Sequence, residues 1–218
     1  MRNESPTDHP PALPVMLQVA GRRCVVVGGG AVAARRAASL VAGGAQVVVV
    51  APEMHDKLDD LLIERRERGY QTDDLDGAFL VVIATDRAEV NHRVAEDAEA
   101  SGVLINRADD AGSGDFTVMA HDRRGPLTVA VDTAHTSAAA AKRIRGDLLA
   151  VLDDDWITLL AEARPWRGKI QCSIDDATTR AARLRRLADD TAMQTLKEQG
   201  VSGLRVHLQA VAEGRADD

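Results

Sequence analysis

Three consecutive glycines, Gly28-Gly29-Gly30, stand between the apolar run Arg23-Cys24-Val25-Val26-Val27 and the alanine-rich stretch 31–42. The run is β-branched and apolar at successive positions, so it suits a strand covered on both faces inside a parallel sheet. The alanines favour a helix. Gly43-Gly44 end it, because glycine accepts the left-handed conformation found just past a helix. A strand that must turn at once into a helix leaves few folds open. The spacing G-x-G-x-x-A from Gly28 to Ala33 is a form of the dinucleotide fingerprint. Gly28 permits the tight turn, Gly30 lets a pyrophosphate lie against the backbone, and Ala33 lets the helix pack close to the strand. Free N–H groups and the partial positive charge of the helix N-terminus then face the phosphates. The other reading is a glycine-rich turn in a domain of the same architecture that has lost its ligand.

Strand and helix go on alternating. Val47–Val50 is a second apolar strand, and residues 54–68 carry Leu58, Leu61 and Leu62 at helical spacing. A weak strand is expected near Tyr70-Gln71. Phe79–Ala84 is a third clear strand, 87–101 an amphipathic helix with Val90, Val94 and Ala98, and Val103–Ile105 a further strand. This order implies a Rossmann-like α/β fold, a parallel sheet with helices on both faces. Beyond Asn106 the pattern changes. Phe116–Ala120 and Leu127–Val131 read as an antiparallel hairpin around the polar turn His121–Gly125. From Thr136 onward the chain reads as helices, with breaks expected at Pro165 and Gly200. Trp156, Leu159, Leu160, Ala163 and Trp166 are spaced to bury one face, against the sheet domain or a second subunit.

Composition excludes several functions. Aromatic residues are 2% of the 218, too few for a base-stacking platform. The net charge of -7 is the wrong sign for a chain that lives on phosphate backbones. The two cysteines, Cys24 and Cys172, form no metal-ligand spacing and no disulfide framework. No apolar stretch approaches the roughly 20 residues of a membrane span, and the polar start has no signal-peptide core. The expectation is a soluble cytoplasmic protein with no nucleic-acid or membrane partner.

Candidate site residues cluster at strand ends, where ligands of open α/β sheets lie. Glu53, after the second strand, is placed to bind ribose hydroxyls. Alternatively it is a carboxylate stabilised at a helix N-terminus. No arginine follows it to grip a 2′-phosphate, which favours NAD over NADP. Thr85 and Asp86 end the third clear strand and either touch the cofactor or, for Asp86, cap the next helix. Asn106-Arg107-Ala108-Asp109-Asp110 follows the next strand. Its adjacent carboxylates either form a solvated turn or raise one pKa towards neutrality for acid–base work.

The order of motifs resembles the precorrin-2 dehydrogenase/sirohydrochlorin ferrochelatase family, the module at the N-terminus of siroheme synthase. The resemblance rests on Leu13-Pro14-Val15, the Val26–Ala33 loop with Arg36, Val49-Val50-Ala51-Pro52, Ala84-Thr85-Asp86 with Val90-Asn91, Asn106–Asp110 with Phe116, and Gly125–Val131. It implies that Asp109 is the catalytic residue and that Ala31, Val32, Pro52 and Glu53 contact NAD. It also implies a homodimer crossed by the hairpin and the helices after it. The corresponding layout is a flexible tail 1–12, an NAD-binding Rossmann domain 13–112, a hairpin and dimerisation segment 113–146 and a helical C-terminal domain 147–218. The family's turn S-[ST]-G-G-x-S-P becomes Asp132-Thr133-Ala134-His135-Thr136-Ser137-Ala138, without its glycines and proline. Met119 stands where the family tends to carry proline. Asn106, Arg107, Thr133, His135 and Lys142 are the expected substrate contacts, since arginine and lysine suit a carboxylate-rich tetrapyrrole. Scattered histidines give no permanent metal site. The implied activity is NAD-dependent oxidation of precorrin-2 to sirohydrochlorin, with ferrochelation as a possible second step. The alternative is a non-catalytic NAD(H)-binding regulatory module.

Overall fold

The structure, a computed structural model, describes residues 12–110 and 112–215. The expected tail 1–12 lies, apart from Ala12, outside the described residues. The chain forms two compact units that divide between Val118 and Met119. The first holds β1 (Arg23–Val27), α1 (Ala31–Ala42), β2 (Gln46–Val50), β3 (Glu64–Arg66), β4 (Leu80–Ile83), α2 (Ala88–Ser101) and β5 (Leu104–Arg107). Its strands form one parallel sheet in the order β3-β2-β1-β4-β5. In-register pairing sets Val25 between Val48 and Val81, and Val27 between Val50 and Ile83. Successive side chains of a strand point to opposite faces, so the unbroken valine runs feed two cores. Cys24, Val26, Val47, Val49, Leu80 and Val82 bury against Ala33, Ala34 and Ala37 of α1. Val25, Val27, Val48, Val50, Val81 and Ile83 bury against Val94 and Ala98 of α2. Burial pushes the Cys24 thiol up to about 11, so it behaves as a small apolar side chain.

Residues 54–68 do not form a helix. A single 3₁₀ turn, Asp56–Leu58, leads to β3, which lies earlier in the chain than the strand expected near Tyr70. The leucine spacing fails because only Leu58 is fully buried, while Leu62 is 91% exposed. β3 is an edge strand with one neighbour, and charge holds it there. Asp74, with no exposed surface, accepts from Arg66 at 2.5 Å, from both terminal nitrogens of Arg68 at 2.8 Å and from the Gln71 amide at 2.8 Å. The opposite edge is covered by the chain after β5. There Asp115 N donates to Ile105 O at 2.8 Å, and the buried Asn106 Nδ2 donates to Phe116 O at 2.8 Å.

The second unit opens with the hairpin β6 (Ala120–Arg124) and β7 (Leu127–Val131), followed by α3 (Ala138–Val151), α4 (Asp154–Ser173), α5 (Ala177–Arg186) and α6 (Asp190–Glu213). The first hairpin strand lies later than the reading of Phe116–Ala120, and His121–Arg124 are strand rather than turn. Arg124 pairs with Leu127, so the loop is Gly125-Pro126 alone, with Gly125 at φ +56°. A two-residue hairpin with glycine first fits the sheet twist better than a longer polar loop. Pro165 does not break its helix; α4 runs through it. Leu159 and Ala163 before it and Ile170 after it bury in one core with Leu187, Leu196, Leu204 and Leu208. That shared core holds both halves of α4 in line against the lost backbone bond. Gly200 does interrupt α6, at φ 68° and ψ −168°. Leu159 and Ala163 thus bury within the helical unit, against α5 and α6. No helix among the described residues is long and apolar enough to cross a membrane.

Asp74 sets a pH dependence for the first unit. Burial alone would raise its pKa, but hydrogen bonds from Arg68, the Gln71 amide and Arg66 hold it down at about 2. A carboxylate whose folded pKa is depressed adds stability above its ordinary range and loses it as pH falls through the folded value. Asp74→Asn should therefore cost about 2 kcal/mol at pH 7, where charged hydrogen bonds are lost. Thermal unfolding of both proteins from pH 7 to pH 3 tests this: the gap should narrow with acid. A gap independent of pH contradicts the assignment.

Candidate active site

A cavity of about 860 Å³ lies at the carboxyl ends of the strands in the first unit. It is lined by the turns after β1 (Gly28–Val32), β2 (Ala51–His55), β4 (Ala84–Arg87) and β5 (Ala108, Asp109). The order reverses between β1 and β4, the switch point where such sheets leave a crevice. Gly28, Gly30, Ala31, Val32, Pro52, Glu53, Thr85, Asp86 and Asp109 all line this one cavity.

Each glycine of the loop has its own reason. Gly28 has φ +129°, and a Cβ on it would overlap the Ala84 carbonyl. A Cβ on Gly29 would overlap the Glu53 carbonyl, and the His55 amide donates to Gly29 O at 2.8 Å. The β1 and β2 turns are thereby latched together, a role for Gly29 that spacing alone does not disclose. Gly30 is different. A Cβ there meets nothing within 4 Å, so its bareness serves the cavity rather than the fold. Gly30 caps α1 without any side-chain hydrogen bond, and the first turn of α1 carries no acid. Uncapped N–H groups at a helix start attract an anion.

Glu53 is exposed and precedes a 3₁₀ turn capped by the His55 side chain, so it does not serve as a helix-terminal carboxylate. Asp86 does not cap α2 either; Arg87 holds that position with no side-chain bond. The Thr85 hydroxyl instead joins a network that strand-end position alone does not disclose. Asn91 on α2 is buried at 2% exposure. Its Oδ1 accepts from Thr85 Oγ1 at 2.5 Å, and its Nδ2 donates to Thr85 O and to Asp109 Oδ2, both at 3.0 Å. Asn91 thus ties the end of β4 to the residue after β5. Its signal in the sequence was an amide three residues before Val94, on the apolar stripe of α2.

Asp109 also accepts from Arg107, Nε to Oδ1 at 3.2 Å and a terminal nitrogen to Oδ2 at 2.7 Å. The Arg107 guanidinium, and secondarily the Asn91 amide, hold this carboxyl below the usual range against a smaller opposing effect of burial. The expectation of a pKa raised by a neighbouring acid is therefore corrected. Asp110 turns away and closes its own loop, accepting from Gly112 N at 3.2 Å and from Ser113 Oγ at 2.9 Å. Asp109 is a fixed carboxylate.

The remaining expected residues lie elsewhere. Asn106 is spent on Phe116 as described above, and Arg107 is engaged by Asp109. Thr133, His135 and Lys142 belong to the second unit. Thr133 Oγ1 accepts from Ser137 N at 3.2 Å, and Ser137 Oγ accepts from Ala140 N at 3.1 Å to cap α3. Ala134 and His135 have φ +46° and +61°, left-handed values at the two positions where the family's turn has glycine. His135 and Lys142 are exposed.

The different grounds for Gly29 and Gly30 can be separated by stability. Gly29→Ala forces backbone apart and should cost about 1–3 kcal/mol, as overpacking does. Gly30→Ala should cost under about 1 kcal/mol, the difference between glycine and alanine at a helix N-cap. Unfolding midpoints of the two variants measure the contrast; equal losses would contradict it.

Comparison with known proteins agrees with this geometry. The family described as "Putative NAD(P)-binding" matches residues 15–120. Siroheme synthase of Chromobacterium violaceum is 34% identical over 171 residues, covering 77% of this chain and 36% of that protein. Siroheme synthase of Methylobacillus flagellatus is 33% identical over 213 residues, covering 94% of this chain and 45% of that protein. The chain therefore spans less than half the length of these relatives. The solved structure of SirC, precorrin-2 dehydrogenase, superimposes with a TM-score of 0.74 at 26% identity, covering 93% of this chain and all of that one. In its motifs, its sheet order and these likenesses, the chain resembles the precorrin-2 dehydrogenase/sirohydrochlorin ferrochelatase family.

Proposed function

We propose that this protein oxidises precorrin-2 to sirohydrochlorin, passing a hydride to NAD⁺. The observation that carries the reading is Asp109, which lines the glycine-loop cavity and is held by Arg107 and Asn91, an arrangement that a nucleotide sensor does not need. The residues fit a dinucleotide. Gly30 leaves room against the backbone, α1 offers uncapped N–H groups, and Glu53 presents a carboxylate at the ribose position that would repel a 2′-phosphate. Ala31, Val32, Pro52, Thr85 and Asp86 complete the proposed contacts. NAD⁺, when bound, supplies the hydride acceptor, and everything else falls to the chain.

Oxidation releases a proton as well as a hydride, and Asp109 is the group placed to take it. Arg107 and Asn91 fix the carboxylate's orientation and keep it ionised, so it is ready as a base throughout the physiological range. For the carboxylates of the macrocycle we propose Arg107, Thr133, His135 and Lys142 as contacts, on the family resemblance; the buried Asn106 serves instead to anchor the chain after β5. Ferrochelation by the same protein, and its place in the cytoplasm, belong to the same proposal. So does a homodimer through residues 113–146 and the helix they begin. Ile144, Leu148 and Val151 recur on one side of α3 and are 44%, 47% and 79% exposed, an apolar stripe suited to a second copy.

Asp109→Asn keeps the shape and removes the base. NAD⁺-dependent oxidation of precorrin-2 should fall about 10²–10⁴-fold with NAD⁺ affinity close to wild type. Full activity in the variant would remove Asp109 from the mechanism. The acid limb of the wild-type pH profile should lie below the ordinary carboxylate range, because Arg107 holds Asp109 down. Arg107→Leu should move that limb upward. For assembly, light scattering should report twice the chain mass for the wild type and one chain for Leu148→Asp; a monomeric wild type would refute the dimer.

A further inference from the structure

The second unit carries a cavity of its own, of about 590 Å³, between the tip of the hairpin and helices α4 and α5. Its lining is chemically one-sided. Arg123 reaches it from β6, and Arg164 and Arg167 from α4, while Leu160, Leu184 and Leu187 supply apolar wall and floor. Leu160, Arg164 and Arg167 recur at helical spacing, so one face of α4 carries apolar contact and two cations together. Among the described residues, no acidic side chain lines the cavity. In a chain with 34 acids against 27 bases, three arginines gathered without an acid require explanation.

Other arginines of this unit are neutralised within it. Arg124 pairs with Asp154, Arg145 with Asp122, and Arg205 with Glu162. Arg123, Arg164 and Arg167 have no ion-pair partner among the described residues. The nearest engagement is Arg123 Nε to Thr128 Oγ1, at a long 3.4 Å. Guanidinium groups bind carboxylates through paired hydrogen bonds. Three of them around an apolar floor select a ligand with several carboxylates on an apolar body, since a bare inorganic anion gains nothing from the leucines. We propose that this cavity is a binding site for an organic polycarboxylate with an apolar scaffold, separate from the glycine-loop cavity of the first unit. The site does not depend on the oxidation proposed above.

The test uses the full chain and two probes: trimesate, a benzene ring with three carboxylates, and uroporphyrin I, a tetrapyrrole polycarboxylate. Each is titrated against the wild type, the double variant Arg164→Ala/Arg167→Ala and the control Arg143→Ala, whose arginine lies outside the cavity. NAD⁺ is titrated in parallel to show that the first unit is intact. Expected is binding to the wild type that weakens about tenfold or more in the double variant and is unchanged in the control, with NAD⁺ affinity preserved. If both probes respond, the site takes the tetrapyrrole class. If only trimesate responds, it takes smaller polycarboxylates. Arginine-independent binding of both probes, or no binding by the wild type, overturns the site. Should the double variant fail to fold, Arg123→Ala on the hairpin replaces it, and unchanged affinity there is equally decisive. Loss of dehydrogenase activity alone bears on the first unit and leaves this result standing.

Discussion

The first unit depends on one close approach of backbone to backbone. At the end of β1 the chain must turn beneath the end of β4, and Gly28 lies so near the Ala84 carbonyl that no side chain fits between them. That contact fixes where β4 ends relative to β1, and so where Thr85 stands. Thr85 in turn is held by Asn91, and Asn91 holds Asp109. A steric constraint in the glycine loop therefore passes through three hydrogen bonds to the orientation of the carboxylate on the far side of the cavity. A group held within small tolerances by packed, buried partners is what proton transfer requires.

Much of this was legible in the chain because the first unit obeys local rules. The valine runs at 25–27 and 47–50 can only be strands covered on both faces, and the glycine loop after the first can only turn into a helix. The region 54–68 misled because leucine spacing is a weak signal when the intervening residues can satisfy themselves otherwise. There, Arg66 and Arg68 find Asp74, and a charged edge strand replaces the helix. The hairpin was displaced for a related reason. His121–Arg124 look like a turn by polarity, but one face of a two-stranded ribbon tolerates polar residues. Gly125-Pro126 suffices to reverse the chain.

The electrostatics of the candidate base were the least legible part. Two adjacent aspartates suggest mutual repulsion, which holds only if their carboxyls face each other. The structure sends them apart, Asp109 to Arg107 and Asn91, Asp110 to the amide and hydroxyl of its own loop. Sequence adjacency does not determine side-chain direction in a turn. The consequence reaches the chemistry. A depressed pKa makes Asp109 a weaker base than one poised near neutrality, yet one always ionised. In the proposed reaction, orientation and the neighbouring Arg107 would then contribute what basicity does not.

The turn from Asp132 to Ser137 shows that a departure in sequence need not be a departure in backbone. Where the family's pattern has two glycines, Ala134 and His135 adopt the left-handed conformation that glycine takes freely. For residues bearing a Cβ this costs roughly 1–2 kcal/mol each. The turn carries its own restraints against that cost. Asp132 Oδ2 accepts from Ala134 N at 3.1 Å, Thr133 Oγ1 accepts from Ser137 N, and Thr136 N donates to Thr133 O at 2.9 Å. Ser137 then starts α3 as its cap, so the missing proline at the next position is not needed to begin the helix. The side chains at 134 and 135 have changed while the path of the main chain is one that glycine would also follow. The main-chain path therefore stays open to the same backbone contacts, while a methyl at 134 and an imidazole at 135 stand where the pattern has bare glycine Cα atoms.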